Sequence, residues 1–343
     1  MDGSRTTIND VAREAGVSRG TIYRVLNNKG YVSPQKREAV LETVRKLNFS
    51  PNIAAQVLAS KKKFTIAVVY PTVEKLFWNE VESGIETAGK EFEVLGINVK
   101  RYPIEKFDLD EQRNTLKKLL HTRLDGLAIA PAHASGLNDI IGKFIKRNIP
   151  VVTFNSDAPD CGRVCHIGQD VLRSGSLAAD LISLILGGNG EIAVFRAVRE
   201  LLAIQLRVDG FKNRIESDYP FLKVVECVDF DESESKAYNL TKDIISKYPA
   251  LKGIYVTNAY VNIVARAVSD MGLDRKIALV GFDINEDTRK YLQNGTVNAV
   301  ICQEPFVQGY KPVQILNNLI IRDMMPEDEI IHTKLEILLP GNV

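Results

Sequence analysis

Phe77 and Trp78, Asn155, Asp157, Arg207, Asn258, Asp283 and Gln303 lie far apart along the chain, each just beyond a short apolar run or in the stretch that follows one. Their chemistry is complementary. Aromatic rings cover the C–H face of a sugar, while planar amides, carboxylates and guanidinium groups pair with adjacent hydroxyls. Taken singly, each also reads as a cap, a turn or a salt bridge, and only the shared placement points to one site. Catalysis finds no comparable set, which predicts a protein that is not an enzyme. His121, His133, His166 and His332 are scattered, and no Ser or Cys stands at a recognisable nucleophile elbow. Gly187-Gly188-Asn189-Gly190 precedes a strand pattern instead of opening a helix after one, so it reads as a helix-to-strand turn and not as a phosphate cradle. Cys161-Gly162-Arg163-Val164-Cys165-His166 has one residue too many for haem attachment and no second Cys/His pair for zinc. With Cys227 and Cys302 the chain has four cysteines, which predicts reduced thiols and neither metal nor cofactor.

The elements that must position these residues begin at Phe64. Apolar runs at Thr65 to Tyr70, Gly126 to Ala130, Pro150 to Phe154, Glu191 to Phe195, Gly253 to Thr257 and Ile277 to Phe282, with a late one before Gln303, have the compact form of buried parallel strands. Helical stretches such as Phe77 to Leu95 and Gln112 to His121 separate them. Repeated β-α units predict doubly wound parallel sheets, and their number predicts two. Ligands bind beyond the carboxyl ends of such strands, where the polar and aromatic residues stand.

The first 63 residues differ in both charge and period. They hold 12 Lys/Arg against 5 Asp/Glu, while the remainder holds 32 against 38, so a nearly neutral chain conceals a basic head on an acidic body. Such a head suits a polyanion, nucleic acid before an anionic membrane surface. Ile8, Val11, Ala12 and Ala15 line one face of a helix that Thr7 can cap. Gly16 supplies a turn, and Ser18 can cap a second helix to about Leu26 with Val17, Ile22, Val25 and Leu26 inward and Arg19, Gly20, Tyr23 and Arg24 outward. Ser33-Pro34 opens a third helix with Val40, Val44 and Leu47 inward. Two short helices on a tight turn, the second with outward arginines, suit a recognition helix in the major groove; a basic three-helix bundle is the alternative that periodicity leaves open.

Thr7-Ile8-Asn9-Asp10-Val11-Ala12, Ala15-Gly16-Val17-Ser18, Thr21, Arg24-Val25-Leu26-Asn27 and Ser50-Pro51-Asn52 resemble the DNA-binding head of LacI/GalR regulators in order and spacing. The resemblance implies base reading by Arg19, Gly20 and Arg24 and phosphate contacts from Ser18, Thr21, Asn27 and Tyr31. Tyr23 departs from the small hydroxyl residue usual at its place, and Gly20 offers no side chain to a base. Asn52 to Ala59 then corresponds to a hinge helix that pairs across a dimer in the minor groove, with Leu58 as the wedge and Ala55 beside it.

The body resembles the periplasmic sugar-binding-protein fold of the ribose type through Thr153-Phe154-Asn155-Ser156-Asp157-Ala158-Pro159, Arg207-Val208-Asp209-Gly210-Phe211, Val280-Gly281-Phe282-Asp283 and Gln303-Glu304-Pro305. This implies that Phe77 and Trp78 stack on a sugar and that Asn155, Arg207, Asn258, Asp283 and Gln303 bond its hydroxyls. Asn155-Ser156 departs from the aspartate-arginine pair frequent there, which implies an effector larger than a pentose or turned differently.

The expected fold class is thus a small all-α helix-turn-helix DNA-binding domain followed by a two-lobed, type I periplasmic-binding-protein-like α/β domain. The expected boundaries are residues 1–50 for the head and 51–63 for hinge and linker. The first lobe is expected over 64–159 with 293–321, and the second over 160–292 with 322–343. The expected function is a cytoplasmic homodimeric regulator, a repressor in the commonest case, that binds a palindromic double-stranded operator under control of a sugar-like effector. Neither a membrane partner nor a cofactor is expected. A transport receptor would combine a signal peptide with no basic helical head, the reverse of what the residues show.

Overall fold

The computed structural model describes residues 7–26, 30–47, 49, 62–72, 75–197, 201–230 and 233–343. Two compact units divide the chain, Met1–Lys61 and Lys62–Val343.

In the first unit, α1 (Ile8–Glu14), α2 (Arg19–Leu26) and α3 (Pro34–Lys46) enclose a small core of Val11, Ala12, Ile22, Val25, Val40 and Phe49. The inward positions expected from periodicity are the ones buried or packed against this cluster. A reciprocal cap starts α1: the Asp10 amide donates to Thr7 Oγ1 at 3.4 Å and the Thr7 amide donates to Asp10 Oδ2 at 2.9 Å. Gly16, at φ 62°, turns the chain toward α2 in a conformation that disfavours a side chain. The expected hinge helix, with Asn52, Ala55 and Leu58, lies outside the described residues, as does Asn27.

The second unit contains two six-stranded sheets of matching topology. In the first, β1 (Phe64–Pro71), β2 (Ile97–Ile104), β3 (Gly126–Ile129), β4 (Val151–Phe154), β5 (Cys165–Gln169) and β11 (Ile330–Thr333) run parallel in the order β11-β5-β4-β3-β1-β2. In the second, β6 (Gly190–Ala197), β7 (Leu222–Phe230), β8 (Leu251–Val256), β9 (Ala278–Phe282), β10 (Ala299–Cys302) and β12 (Glu336–Leu338) follow the order β12-β10-β9-β8-β6-β7, with β12 antiparallel to β10. Alternation along the central strands feeds both faces: Ile66, Val68 and Tyr70 enter one core and Ala67 and Val69 the other. Ala193 and Phe195, against Ile192 and Val194, do the same in the second sheet.

Helices α4 (Lys75–Glu93), α5 (Leu109–Leu119), α6 (Asn138–Ile145), α7 (Val171–Leu186), α8 (Leu202–Asp218), α9 (Glu234–Lys247), α10 (Val261–Asp270), α11 (Glu286–Asn294) and α12 (Pro305–Arg322) connect the strands. The glycine-rich stretch is the turn expected: Gly187 caps α7 at φ 64°, and β6 opens at Gly190. Two helix pairs touch through glycines. A Cβ on Gly309 would lie 1.9 Å from the Val81 carbonyl oxygen, and one on Gly175 would lie 2.0 Å from that of Arg207. Backbone therefore meets backbone in α4/α12 and in α7/α8, which fixes how far the residues at their amino ends reach.

The expected lobe boundaries shift by about ten residues. Strand β5 belongs to the first sheet, so the chain crosses at Gln169 and Asp170, not near Pro159. It returns at Gln303 and Glu304, after β10 has completed the second sheet, and crosses again at Lys334, after β11 has rejoined the first. The cause lies in the residues. Cys165-His166-Ile167-Gly168-Gln169 is wholly buried yet lacks a compact apolar run, and Ile330 to Thr333 is a short, half-exposed edge. Strands β2 and β7 escaped the apolar-run pattern because, at the sheet margins, they are buried only at their ends and partly or fully exposed between.

Candidate functional site

The head presents one polar face on α2. Arg19, Gly20, Tyr23 and Arg24 are exposed on it, and Tyr31 stands 85% exposed beyond its end. Ser18 Oγ accepts the Thr21 amide at 3.2 Å, the side-chain cap expected of it. Thr21, expected at phosphate, is instead buried, with its hydroxyl 3.0 Å from Ser18 Oγ, so it braces the cap. Arg24 lies along its own helix, Nε donating to the Gly20 carbonyl at 3.2 Å. The missing side chain at Gly20 leaves that carbonyl accessible, and Arg24 must swing away from it to reach a base edge.

The body holds a cavity of about 50 Å³ between its two sheets. Seven of the eight side chains singled out at the ends of the apolar runs line it: Phe77, Trp78, Asn155, Arg207, Asn258, Asp283 and Gln303. Its size suits a few water molecules. The first lobe contributes the rings. Trp78 packs edge-on to Phe77 at 5.3 Å between centroids and to Phe107 at 6.0 Å, and stacks on Tyr70 at 6.2 Å. Arg207 faces them from α8, its guanidinium carbon 3.8 Å above the Phe282 ring and Nη1 donating to the Thr257 carbonyl. Asn258 begins the turn into α10, its Oδ1 accepting the Tyr260 amide at 3.2 Å.

Three residues at the strand ends adopt left-handed backbone: Asn155 after β4 (φ 63°), Asp283 after β9 (φ 55°) and Glu304 just past β10 (φ 53°). Asn and Asp tolerate this conformation better than most residues, and it turns their side chains into the cleft. A chain of hydrogen bonds joins the first two. Asn155 Nδ2 donates to Gln308 Oε1 at 3.0 Å, Gln308 Nε2 to the Gln303 carbonyl at 2.8 Å, and Gln303 Nε2 to Asp283 Oδ2 at 2.7 Å. Burial pushes the Asp283 carboxyl up to about 6, although the Gln303 bond and the Arg207 charge work against that rise.

Asp157 does not join the site. Its carboxylate takes both ends of the Arg163 fork at 2.7 Å, the Thr153 hydroxyl at 2.6 Å and the Ala158 amide at 2.8 Å. Burial opposes its ionisation, but these donors outweigh it and hold the carboxyl below its usual range. Residue 155 turns left-handed, so the residue two further on faces back into the first lobe. The cysteine-histidine stretch belongs to the same packed region: Cys161, Cys165 and His166 are buried, and burial holds His166 neutral by lowering it to about 4.

Phe107, Ser156, Gln169, Leu201 and Ile204 also line the cavity, and Gln308 supports it from α12. Of these only Ser156, beside Asn155 in the expected sugar-contacting loop, is singled out by the sequence. Gln169 ends a strand that its polar residues concealed, and Gln308 lies five positions past Gln303, one helical turn inside the Gln303-Glu304-Pro305 motif.

Residues 7–52 match the family of bacterial regulatory proteins described as the lacI family, and residues 66–322 match a periplasmic binding protein domain. The ribose operon repressor of Halalkalibacterium halodurans is 27% identical, over 81% of this chain and 80% of its own. Catabolite control protein A of Priestia megaterium is also 27% identical, over 81% of this chain and 82% of its own. Among solved structures, the glucose-galactose binding protein GanP of Geobacillus stearothermophilus superposes with a TM-score of 0.74 at 25% identity, over 82% of this chain and 99% of that one.

Proposed function

Because the chain belongs to the lacI family of bacterial regulatory proteins, with a periplasmic-binding-protein domain as its body, we propose that it represses transcription from an operator whose affinity a sugar-like effector sets. One observation carries the effector half. Rings and the Asn155 amide from one lobe, and amide, carboxylate and guanidinium groups from the other, converge on a single cavity. That division is what a ligand needs if its binding is to favour one relative orientation of the lobes. Arg19 and Arg24 on the exposed face of α2 supply base readout, with Ser18, Asn27 and Tyr31 at phosphates.

Function follows from linkage. An effector and an operator that prefer different lobe arrangements weaken each other by the same factor, whichever binds first. On this reading the acting species is a homodimer and the operator a palindrome with twofold symmetry. The reading places the protein in the cytoplasm, where the DNA is, and gives it no catalytic step.

Selection from random duplexes tests both halves. The full chain should enrich a palindromic consensus, and calorimetry should find at least one pentose, hexose or polyol that binds the same preparation. Sequence-independent binding that disappears with salt would reduce the head to a basic bundle and overturn the operator half.

A further inference from the structure

Gln169, the last residue of β5, is 4% exposed and lines the cavity. Its orientation follows from its neighbours. Asp283 Oδ2 can only accept while the carboxylate is ionised, so Gln303 must turn Nε2 toward it, at 2.7 Å. Gln303 Oε1 is then the end left for Gln169, whose Nε2 donates to it at 2.6 Å. The remaining end of the Gln169 amide, Oε1, is buried and has no hydrogen-bond partner among the described residues. Ser156 Oγ and Asp283 Oδ1, which belong to residues lining the same cavity, are in the same condition. A buried acceptor without a donor is destabilising, and several around one cavity call for a ligand that donates.

Position adds to chemistry. Gln169 stands at the first crossing between the lobes and Gln303 at the second. The next residue, Glu304, accepts the amide of Lys334 at 2.7 Å, at the third crossing. Side chains of two consecutive residues therefore tie the middle crossing to both of its neighbours, and Gln169 and Gln303 bring that chain to the cavity.

We propose that Gln169 is a specificity-determining residue of the effector site, whose Oε1 accepts a hydroxyl of the bound ligand at the crossing between the lobes. The proposal rests on the reading of this cavity as the sugar site. A ligand lacking that hydroxyl leaves the Gln169 acceptor buried and unmatched, and a site built to bond a hydroxyl discriminates strongly against its absence.

Calorimetry on the full chain tests it with D-ribose, D-arabinose, D-glucose and D-galactose, followed by the singly deoxygenated analogues of whichever sugar binds. For wild type, one analogue should bind at least about tenfold more weakly than its parent. In Gln169→Met, of similar length but without either polar end, parent and analogue should bind equally. Should that variant lose the wild-type circular dichroism or melting profile, Gln169→Ala takes its place with the same readout. A variant that weakens parent and analogue alike, keeping the wild-type ratio, marks Gln169 as merely structural and overturns the proposal while leaving the sugar site standing. Absence of binding by any of the four sugars to wild type overturns the sugar reading together with the proposal.

Discussion

The Asp283 carboxylate is held at one oxygen by Gln303 Nε2, at 2.7 Å, while its other oxygen is buried without a partner among the described residues. Burial raises the group from 3.8 to about 6, so between those pH values the folded body binds more protons than the unfolded chain. The stability that protonated Asp283 contributes is therefore complete below about pH 4 and declines as pH rises through about 6. Asp283→Asn should stabilise the body at pH 7.5 by up to about 3 kcal/mol, flatten the pH dependence below 6 and abolish sugar binding. Urea unfolding at pH 4.5, 6 and 7.5 checks this, and a variant less stable than wild type at pH 7.5 refutes it.

Asp157 should behave in the opposite way. Arg163 and Asp157 side chains are only 8% and 15% exposed, so Asp157→Ala leaves a largely buried guanidinium without its carboxylate. The expected loss is about 3–5 kcal/mol. Sugar affinity of the folded variant should stay within about threefold of wild type, far less than the tenfold worth of a lost ligand contact. A stable Asp157→Ala variant with no sugar affinity would return Asp157 to the site.

Helix contact predicts a third asymmetry. Gly309→Ala drives a Cβ to 1.9 Å from the Val81 carbonyl, and backbone must yield because no side chain there can. Thermal melting should report a loss of at least about 1–3 kcal/mol, with weaker sugar binding, since α4 carries Phe77 and Trp78. Gly142 lies in α6 with open space around its Cβ position, and Gly142→Ala should instead be neutral or stabilising by up to about 1 kcal/mol. Equal effects from the two substitutions would contradict the packing account.

Arg24 is the head residue with the most to lose. Arg24→Ala should relax operator preference at one base pair by about 1–3 kcal/mol, while Arg24→Lys keeps the charge and loses the bidentate geometry, giving nearly the same relaxation. Competition between operator variants at fixed salt measures both. A uniform drop across all sequences would reassign Arg24 to the phosphate backbone.

Much of this was legible in residue types. Strands β1, β3, β4, β6, β8 and β9 are central and buried on both faces, so their apolar runs are compact, and the cavity residues follow from where those runs end. Edge strands such as β2 keep one face in solvent and lose that mark. Gln169 was hidden by a strand whose burial is achieved with Cys165, His166 and Gly168 instead of branched aliphatics. Asp157 misled because distance along the chain says nothing of direction: the left-handed turn at Asn155 sends the two side chains opposite ways.

The most direct test of the account is the operator dissociation constant, measured by fluorescence anisotropy on the full chain with and without a saturating sugar that calorimetry has shown to bind. A change of at least about fivefold is expected, the lower range of allosteric coupling, with the reciprocal change in sugar affinity when operator is present. Identical operator affinity with the sugar cavity filled would contradict it, and would leave a DNA-binding head and a sugar-binding body that do not communicate.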